Sequence, residues 1–557
     1  MLSRLTQINT LWHHEPSNET LQVDLMSAPA SQPVPSLAEW LRLLFGDILF
    51  PGRTYGTTDR TSLPRWMFLA SLGLVVCLAG LKMPLLEPDE TRYAQIPREM
   101  LASGGLAVPL LDGQPYYDKP PLFYWSVACS YQVFGESIAA ARLVPSLAVF
   151  ATLLLTYAIG RKSLGENIAW RGAVLLALAP GLVGMGRLLL LDGLLTLVIF
   201  AGQSALWMAG GRDRFHRGWW VTATCLAGLG LMTKGPIALL LIASPFWVYR
   251  WLIPAPKSAF LTWKAWLGFG LFAGLIALPW HVCLAWRDPT FLRHYLWEHH
   301  VLRFLQPFDH VRGTFFYVPV LALGLLPGSF LIIPLIKNFS ANHDEERNRR
   351  TAALGYWGLC AGACIGFFSL SGCKLPTYVL PAFPALALVF GYAAQEIPTN
   401  WWRFGVGTWC AILLAGIYLV LPTYARLRSP LADQQVMLFL DQELRTTGTG
   451  LVAYPRPCHS ISWQLNKADI RHFRSKDFDA FRADILSRPR TVVLCTHRHS
   501  LEGLKQLLPP FVKVSREIRC AIPHLPLVPE EYQKSAKKLL GETALGLCDV
   551  AVLEVVR

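Results

Sequence analysis

A handful of short strings hold the residues of this chain whose types and spacing suit chemistry. The first, EPDETRYAQ, offers Glu87, Asp89, Glu90, Arg92 and Tyr93, and the second, YYDKPP, offers Tyr116, Tyr117, Asp118 and Lys119. Asp192 follows in LLLLDGLLT, Lys234 in MTKGP, Arg303 in EHHVLRF, and Lys374 with Tyr378 in GCKLPTY. Ionised side chains in such apolar surroundings are costly to keep and point to function. Lys, Arg and Tyr donors suit a phosphate held at a bilayer surface, and a neighbouring carboxylate can orient or deprotonate an attacking oxygen. The chemistry so described is a reaction at a phosphate carried by a lipid. Taken singly, each residue also has a plainer reading as a snorkelling cation or a helix-end carboxylate, evenly balanced for Glu90, Arg92 and Arg98. Asp89, Lys119 and Asp192 stand out.

The elements that must position these groups are membrane helices. Of 557 residues 53% are hydrophobic and 16% charged, with 20 Trp, a composition that argues against an ordinary soluble enzyme. Apolar runs such as residues 66–84, 137–160, 188–209 and 314–336 each reach the roughly 20 residues that cross a bilayer. About eleven spans are expected, starting near 66, 137, 168, 188, 219, 235, 264, 314, 352, 376 and 402. The formal charge of +14 is no nucleic-acid signature, because the basic residues sit in short loops and tails. With the N-terminus in the cytoplasm, Arg161, Lys162, Arg212, Arg214, Arg217, Arg250, Lys257, Lys264, Lys337, Arg347, Arg349 and Arg350 all fall inside, as the positive-inside rule asks. Loops 85–136 and 287–313 then face outward, and every candidate site residue lies at that face.

Three parts are expected: a cytoplasmic extension over residues 1–63, a membrane domain over 64–425, and an outer α/β domain over 426–557. The extension shows no signal peptide, and its apolar piece 37–50 reads as an interfacial segment or a tail. Asp89, Arg92 and Tyr93 share helical spacing at the start of a short surface helix, and a second follows Lys119. Together they would roof a cavity open to lipid, with Trp125 and Tyr131 as interfacial anchors. Gly358, Gly362 and Gly366 read as a helix-packing face. In the tail, helices are expected at 434–445, 478–487 and 500–508, and strands at 450–454, 491–495, 511–518 and 551–555. The 12 cysteines form no CxxC pair or zinc spacing, and His497 and His499 read as a surface pair around Arg498. A transporter would also keep charges in a membrane cavity, but the halves do not repeat and the charges lie at one face.

The strings EPDETRYAQIPREMLASG, YYDKPPLFYW, LLLLDGLLT, TKGP and KLPTYVLPAFP, in that order over about residues 85–385, resemble the polyprenyl-phosphate-dependent GT-C glycosyltransferases of the protein O-mannosyltransferase superfamily, and among them the lipid A aminoarabinose transferases. The resemblance implies a GT-C fold of about 11–13 transmembrane helices in a bacterial inner membrane, with the active site facing the periplasm. It implies a sugar donor on undecaprenyl phosphate, no nucleotide sugar, and transfer to lipid A phosphate, a modification tied to polymyxin resistance. Transfer to a hydroxyl of another glycolipid or of a protein is the alternative. By the same resemblance Asp89 is the essential carboxylate, Tyr93 lies beside the lipid phosphate, and Lys119 and Arg303 hold it. Tyr116 and Tyr378 line the cavity, and Asp192 and Lys234 brace the catalytic loop; Lys374 joins the phosphate and sugar site as one of the cations at the outer face, not through the resemblance. No cofactor is demanded, although some relatives carry a divalent metal near the acidic residue before the Lys, here Asp118 where EKP is frequent. A hydroxyl acceptor would need Asp89 as general base; a phosphate acceptor is already ionised, leaving Asp89 to orient it or to stabilise an oxocarbenium-like transition state.

Overall fold

The structure is a computed structural model and describes residues 62–86, 88–210, 215–253, 262–306, 310–340, 351–422, 424, 434–467, 470–496, 500–520, 529–535 and 548–556. The expectations for residues 37–50, for Glu87, and for His497, Arg498 and His499 lie outside these, as do those for the loop residues Arg212, Arg214, Lys257, Arg347, Arg349 and Arg350.

Apolar runs become helices because a chain in hydrocarbon must satisfy its own backbone. Helices begin within a few residues of each of the eleven expected starts. Six of the described helices are long and apolar enough to span alone: Ile138–Leu164, Leu191–Gly210, Trp263–Arg287, Ala352–Leu370, Pro376–Ala394 and Thr399–Val420. The pair Thr314–Gly324 and Gly328–Lys337, bent by 107°, makes a seventh if counted as one, and Ser62–Leu78 and Pro236–Leu252 are shorter. Where Pro and Gly punctuate the apolar pattern, as at Gly235–Pro236 and at Pro180, which opens the short helix Pro180–Met185, the described helices are shorter than a full span. This is a mostly helical, multi-pass membrane protein.

Leu191–Gly210 and Pro376–Ala394 are the most buried of these spans, each with 83% of its spanning window buried, whereas Thr399–Val420 has 6% buried and lines the edge. Trp286, Trp401, Phe315 and Phe272 are exposed on the rim, where lipid is the natural neighbour. Close packing runs through glycine: a methyl at Gly391 would lie 2.4 Å from the Ile168 carbonyl oxygen, and one at Gly172 would lie 2.6 Å from that of Ala387. Gly358, Gly362 and Gly366 do no such work, since a methyl on any of them meets nothing within 4 Å. Their helix packs through Tyr356, Trp357, Cys360, Ala361 and Cys364 instead. Periodicity tells which residues share a face, not what that face meets.

One end of the bundle carries the loop over 79–137, the starts of Leu191–Gly210 and Pro376–Ala394, the ends of Arg217–Lys234 and Trp263–Arg287, and the tail. The loop contains the two expected surface helices, Asp89–Ala102 and Leu122–Phe134, and between them a hairpin, Leu110–Leu111 with Gln114–Pro115. Tyr131 is no interfacial anchor. It is buried, and its hydroxyl donates to the Ala94 carbonyl at 3.1 Å, locking the two helices together.

The tail forms a five-stranded mixed sheet in the order Arg471–His472, Thr449–Tyr454, Arg490–Cys495, Asp549–Val555, Val512–Ile518. The first three strands are parallel, with Leu451 opposite Val492, and the last two antiparallel. Val452, Val492, Val493, Leu494, Val550, Ala551 and Val552 are fully buried because helices cover both faces. The helix His459–Leu465 and the two-residue strand Arg471–His472, which hydropathy had not shown, bring the tail onto the membrane domain. Arg98 lies 3.4 Å from the centre of the Trp463 ring and donates to the Trp463 carbonyl.

Candidate functional site

The helix Asp89–Ala102 presents the first residues of the site and is held from beneath by Glu90. Both acids in its first turn suit the positive helix end. Glu90 is only 2% exposed and receives a two-pronged bond from Arg142, Nε at 2.9 Å and a terminal nitrogen at 2.6 Å. It also accepts the backbone N–H groups of Leu86, at 2.8 Å, and Leu189. Arg142 in turn donates to the carbonyls of Leu81, Met83 and Pro84. Glu90 is thus a structural hub, and it ties the surface helix to the segment just before Asp192.

On the outer side of this helix Arg92 bonds Asp89 at 3.2 Å and donates to the Tyr116 hydroxyl at 3.5 Å. The Asp89 carboxylate is 59% exposed and therefore open to a ligand. Tyr93 packs on Tyr124 and Phe123, with ring centroids at 6.0 and 5.7 Å. Burial pushes its hydroxyl well above the ordinary range, aided by Tyr116 and by the charges of Asp89 and Asp192. Tyr93 is consequently protonated at neutral pH and within electrostatic reach of both acids.

The cations meet around Lys119. Its ammonium donates to the Asp118 carbonyl at 3.0 Å. Burial lowers its pKa to about 8; Asp118 and Asp192 oppose the shift, while Arg303 and Lys234 add to it. A phosphate arriving there would relieve the crowding of like charge. Lys234 bonds the buried Asp192 at 2.5 Å and lies 4.1 Å from the centre of the Tyr378 ring, which is also within reach of the Arg303 charge. The structure therefore brings Asp89, Tyr93, Tyr116, Asp118, Lys119, Asp192, Lys234, Arg303 and Tyr378 to one place. Lys374 does not join them. Its ammonium is buried and donates to the carbonyls of Arg312 and Ser371, stapling two loop segments where its charge at the outer face had suggested a phosphate ligand.

Two residues of the site had no counterpart in the sequence reading, His294 and His299. They stand five apart on the π-helix Arg293–Leu302, whose i to i+5 bonding puts such residues on one face, with ring centroids 4.6 Å apart. Their Nε2 atoms lie 3.5 and 3.2 Å from Asp118 Oδ1. Glu298 lies 3.0 Å from Nδ1 of His294, the outer support a metal-ligating imidazole usually has. Burial lowers the His299 pKa to about 4, so this imidazole is neutral at pH 7, as a ligand must be. The set of two imidazoles and a carboxylate, with ligand atoms all within 4.8 Å, fits a divalent metal. A cleft of about 730 Å³ opens beside it, lined by Tyr116, Tyr117, Asp118, Thr290, His294 and Glu298.

The dolichyl-phosphate-mannose-protein mannosyltransferase family profile matches residues 82–295, which take in the surface helices, Asp192 and Lys234. A Pseudomonas aeruginosa undecaprenyl phosphate-alpha-4-amino-4-deoxy-L-arabinose arabinosyl transferase is 31% identical over 388 residues, covering 66% of this chain and 67% of the relative. The chain belongs to this arabinosyl transferase family. A Pseudomonas fluorescens member is 34% identical over 357 residues, 61% of this chain, and the match spans 58% of that relative's length. Among solved structures, the crystal structure of ArnT from Cupriavidus metallidurans bound to undecaprenyl phosphate superposes with a TM-score of 0.67 at 20% identity, over 88% of this chain and 98% of that one. The arabinosyl transferase fold, a helical membrane domain followed by a sheet-containing domain, is therefore shared along nearly the whole chain.

Proposed function

We propose that this chain transfers 4-amino-4-deoxy-L-arabinose from undecaprenyl phosphate to a phosphate of lipid A, at the periplasmic face of a bacterial inner membrane. The observation that carries the proposal is the convergence of Lys119, Arg303 and Lys234 with Tyr93 and Asp192 at one end of an apolar bundle. Such a group suits a phosphate entering from lipid. The opposite end carries Arg161, Lys162, Arg217, Arg250, Lys264 and Lys337, a charge asymmetry that supports an outward-facing site. Membership of the arabinosyl transferase family supports the choice of sugar and carrier.

In the reaction an oxygen of the acceptor phosphate attacks the anomeric carbon, and the bond from that carbon to the carrier phosphate breaks with inversion. The leaving phosphate gains charge, which Lys119 and Arg303 neutralise, while the Asp192–Lys234 pair fixes the floor beneath them. The attacking oxygen is already ionised, so Asp89 needs to take no proton. It positions the acceptor's sugar and faces the positive charge developing on the ring. Asp118, His294 and His299 are the residues that would hold a divalent metal, whose charge would serve as a Lewis acid beside the loop that presents Lys119.

The test is transfer by the purified full-length protein from the undecaprenyl-phosphate donor to lipid A, read by mass spectrometry. One added aminopentose on lipid A is the expected product, lost in Asp89→Asn. Product on a glycoprotein or another glycolipid, with lipid A unchanged, would overturn the acceptor assignment.

A further inference from the structure

A second set of metal-ligating side chains lies apart from the cluster at Asp118, where the tail meets the first loop. Asp112 occupies the hairpin turn between Leu110–Leu111 and Gln114–Pro115, in the left-handed region at φ 54°. Its Oδ2 lies 3.0 Å from His459 Nδ1 and 2.9 Å from His472 Nε2, and its Oδ1 accepts from Ser462 Oγ at 3.3 Å. The three side chains are only 12%, 8% and 11% exposed. His459 Nδ1 and His472 Nε2 are both buried and both lie directly against the Asp112 carboxylate. The two imidazole rings are tilted by 69°, with centroids 5.1 Å apart, and one ligand atom from each of the three residues lies within 4.8 Å of the other two.

We propose that Asp112, His459 and His472 bind a divalent transition-metal cation, zinc foremost, that fastens the tail domain to the loop bearing the catalytic surface helix. Two imidazoles and one carboxylate are a donor set such cations favour. A tetrahedral ion with bonds of about 2.0–2.1 Å spaces its ligand atoms about 3.3 Å apart. The separations of 2.9 and 3.0 Å need widen by only a few tenths of an ångström to match. The ligands come from a turn of the membrane domain, the first residue of the tail helix His459–Leu465, and the edge strand Arg471–His472. Buried Glu99 on the surface helix holds the same turn, accepting the N–H groups of Asp112 and Gly113 at 3.0 and 2.9 Å. An ion at Asp112 therefore connects the tail, through this turn, to the helix whose first residue is Asp89.

The experiment measures zinc bound per chain in the full-length protein, purified in detergent, stripped with chelator, reloaded with zinc and desalted. Wild type is expected to bind one equivalent more than Asp112→Asn and than His459→Ala/His472→Ala, and Asp118→Asn is expected to keep that equivalent. Asp112→Asn preserves size and one acceptor oxygen while removing the charge, so it serves where the double variant does not fold. Chelation of wild type is also expected to increase proteolytic cleavage between the membrane domain and the tail. Equal zinc content in wild type and Asp112→Asn, or no zinc on wild type, overturns the proposal and leaves the transfer reaction untouched.

Discussion

Replacing Arg142 with Met tests whether the buried Glu90 pair sets the position of the catalytic helix. Arg142 is 1% exposed and Glu90 2%, and the fork between them is joined by contacts to three carbonyls. Removing one partner of such a pair leaves a carboxylate buried without its counter-charge, at a cost of about 3–5 kcal/mol. Glu90 keeps its bonds from the Leu86 and Leu189 amides, which offset part of that cost. The net expectation is about 3 kcal/mol, the lower end of that range. Replacing both partners, as Glu90→Gln/Arg142→Met, removes the uncompensated charge and should cost less than the two single changes summed, with a coupling of about 1–3 kcal/mol. Arg142→Lys should rescue poorly, because an ammonium cannot make the two parallel bonds. The assay is unfolding in detergent followed by tryptophan fluorescence, alongside transfer activity. Arg142→Met melting like wild type, or a double variant as damaged as the sum of the singles, would refute this reasoning.

At Gly391 an added methyl would strike backbone at 2.4 Å, so Gly391→Ala should lose about 1–3 kcal/mol, read as a lower melting temperature. Gly235 has φ 86°, and a methyl there would meet His300 Nε2 at 2.5 Å and the Tyr295 hydroxyl at 2.6 Å. Gly235→Ala should therefore displace the adjacent Lys234 and lower transfer more than stability; unchanged steady-state turnover would contradict this. Asp89→Asn should lower turnover about a hundredfold or more. Its donor binding should stay within a few-fold of wild type, measured by titration with the lipid.

Much of the fold was legible because apolar runs interrupted by charge are a strong signal, and the strands of the tail alternate clearly with its helices. The surface helices were legible from Asp89, Arg92 and Tyr93 at helical spacing. The histidines were not. His294 and His299 share a face only because their helix is of the π type, which a 3.6-residue template does not register. Asp112, His459 and His472 are joined by a tertiary contact, and no local spacing reports it. Lys374 went the other way: its sequence context matched that of the site lysines, but nearby carbonyls absorb its charge.

The claim on which the account rests is that Lys119 and Arg303 grip the phosphate of the lipid donor. Titration of undecaprenyl phosphate into wild type, Lys119→Ala and Arg303→Ala in detergent tests it directly. Each charged hydrogen bond is worth about 1.5–3 kcal/mol, so each variant should bind about ten- to a hundredfold more weakly while remaining folded. Affinity unchanged in both variants would place the phosphate elsewhere and contradict the account.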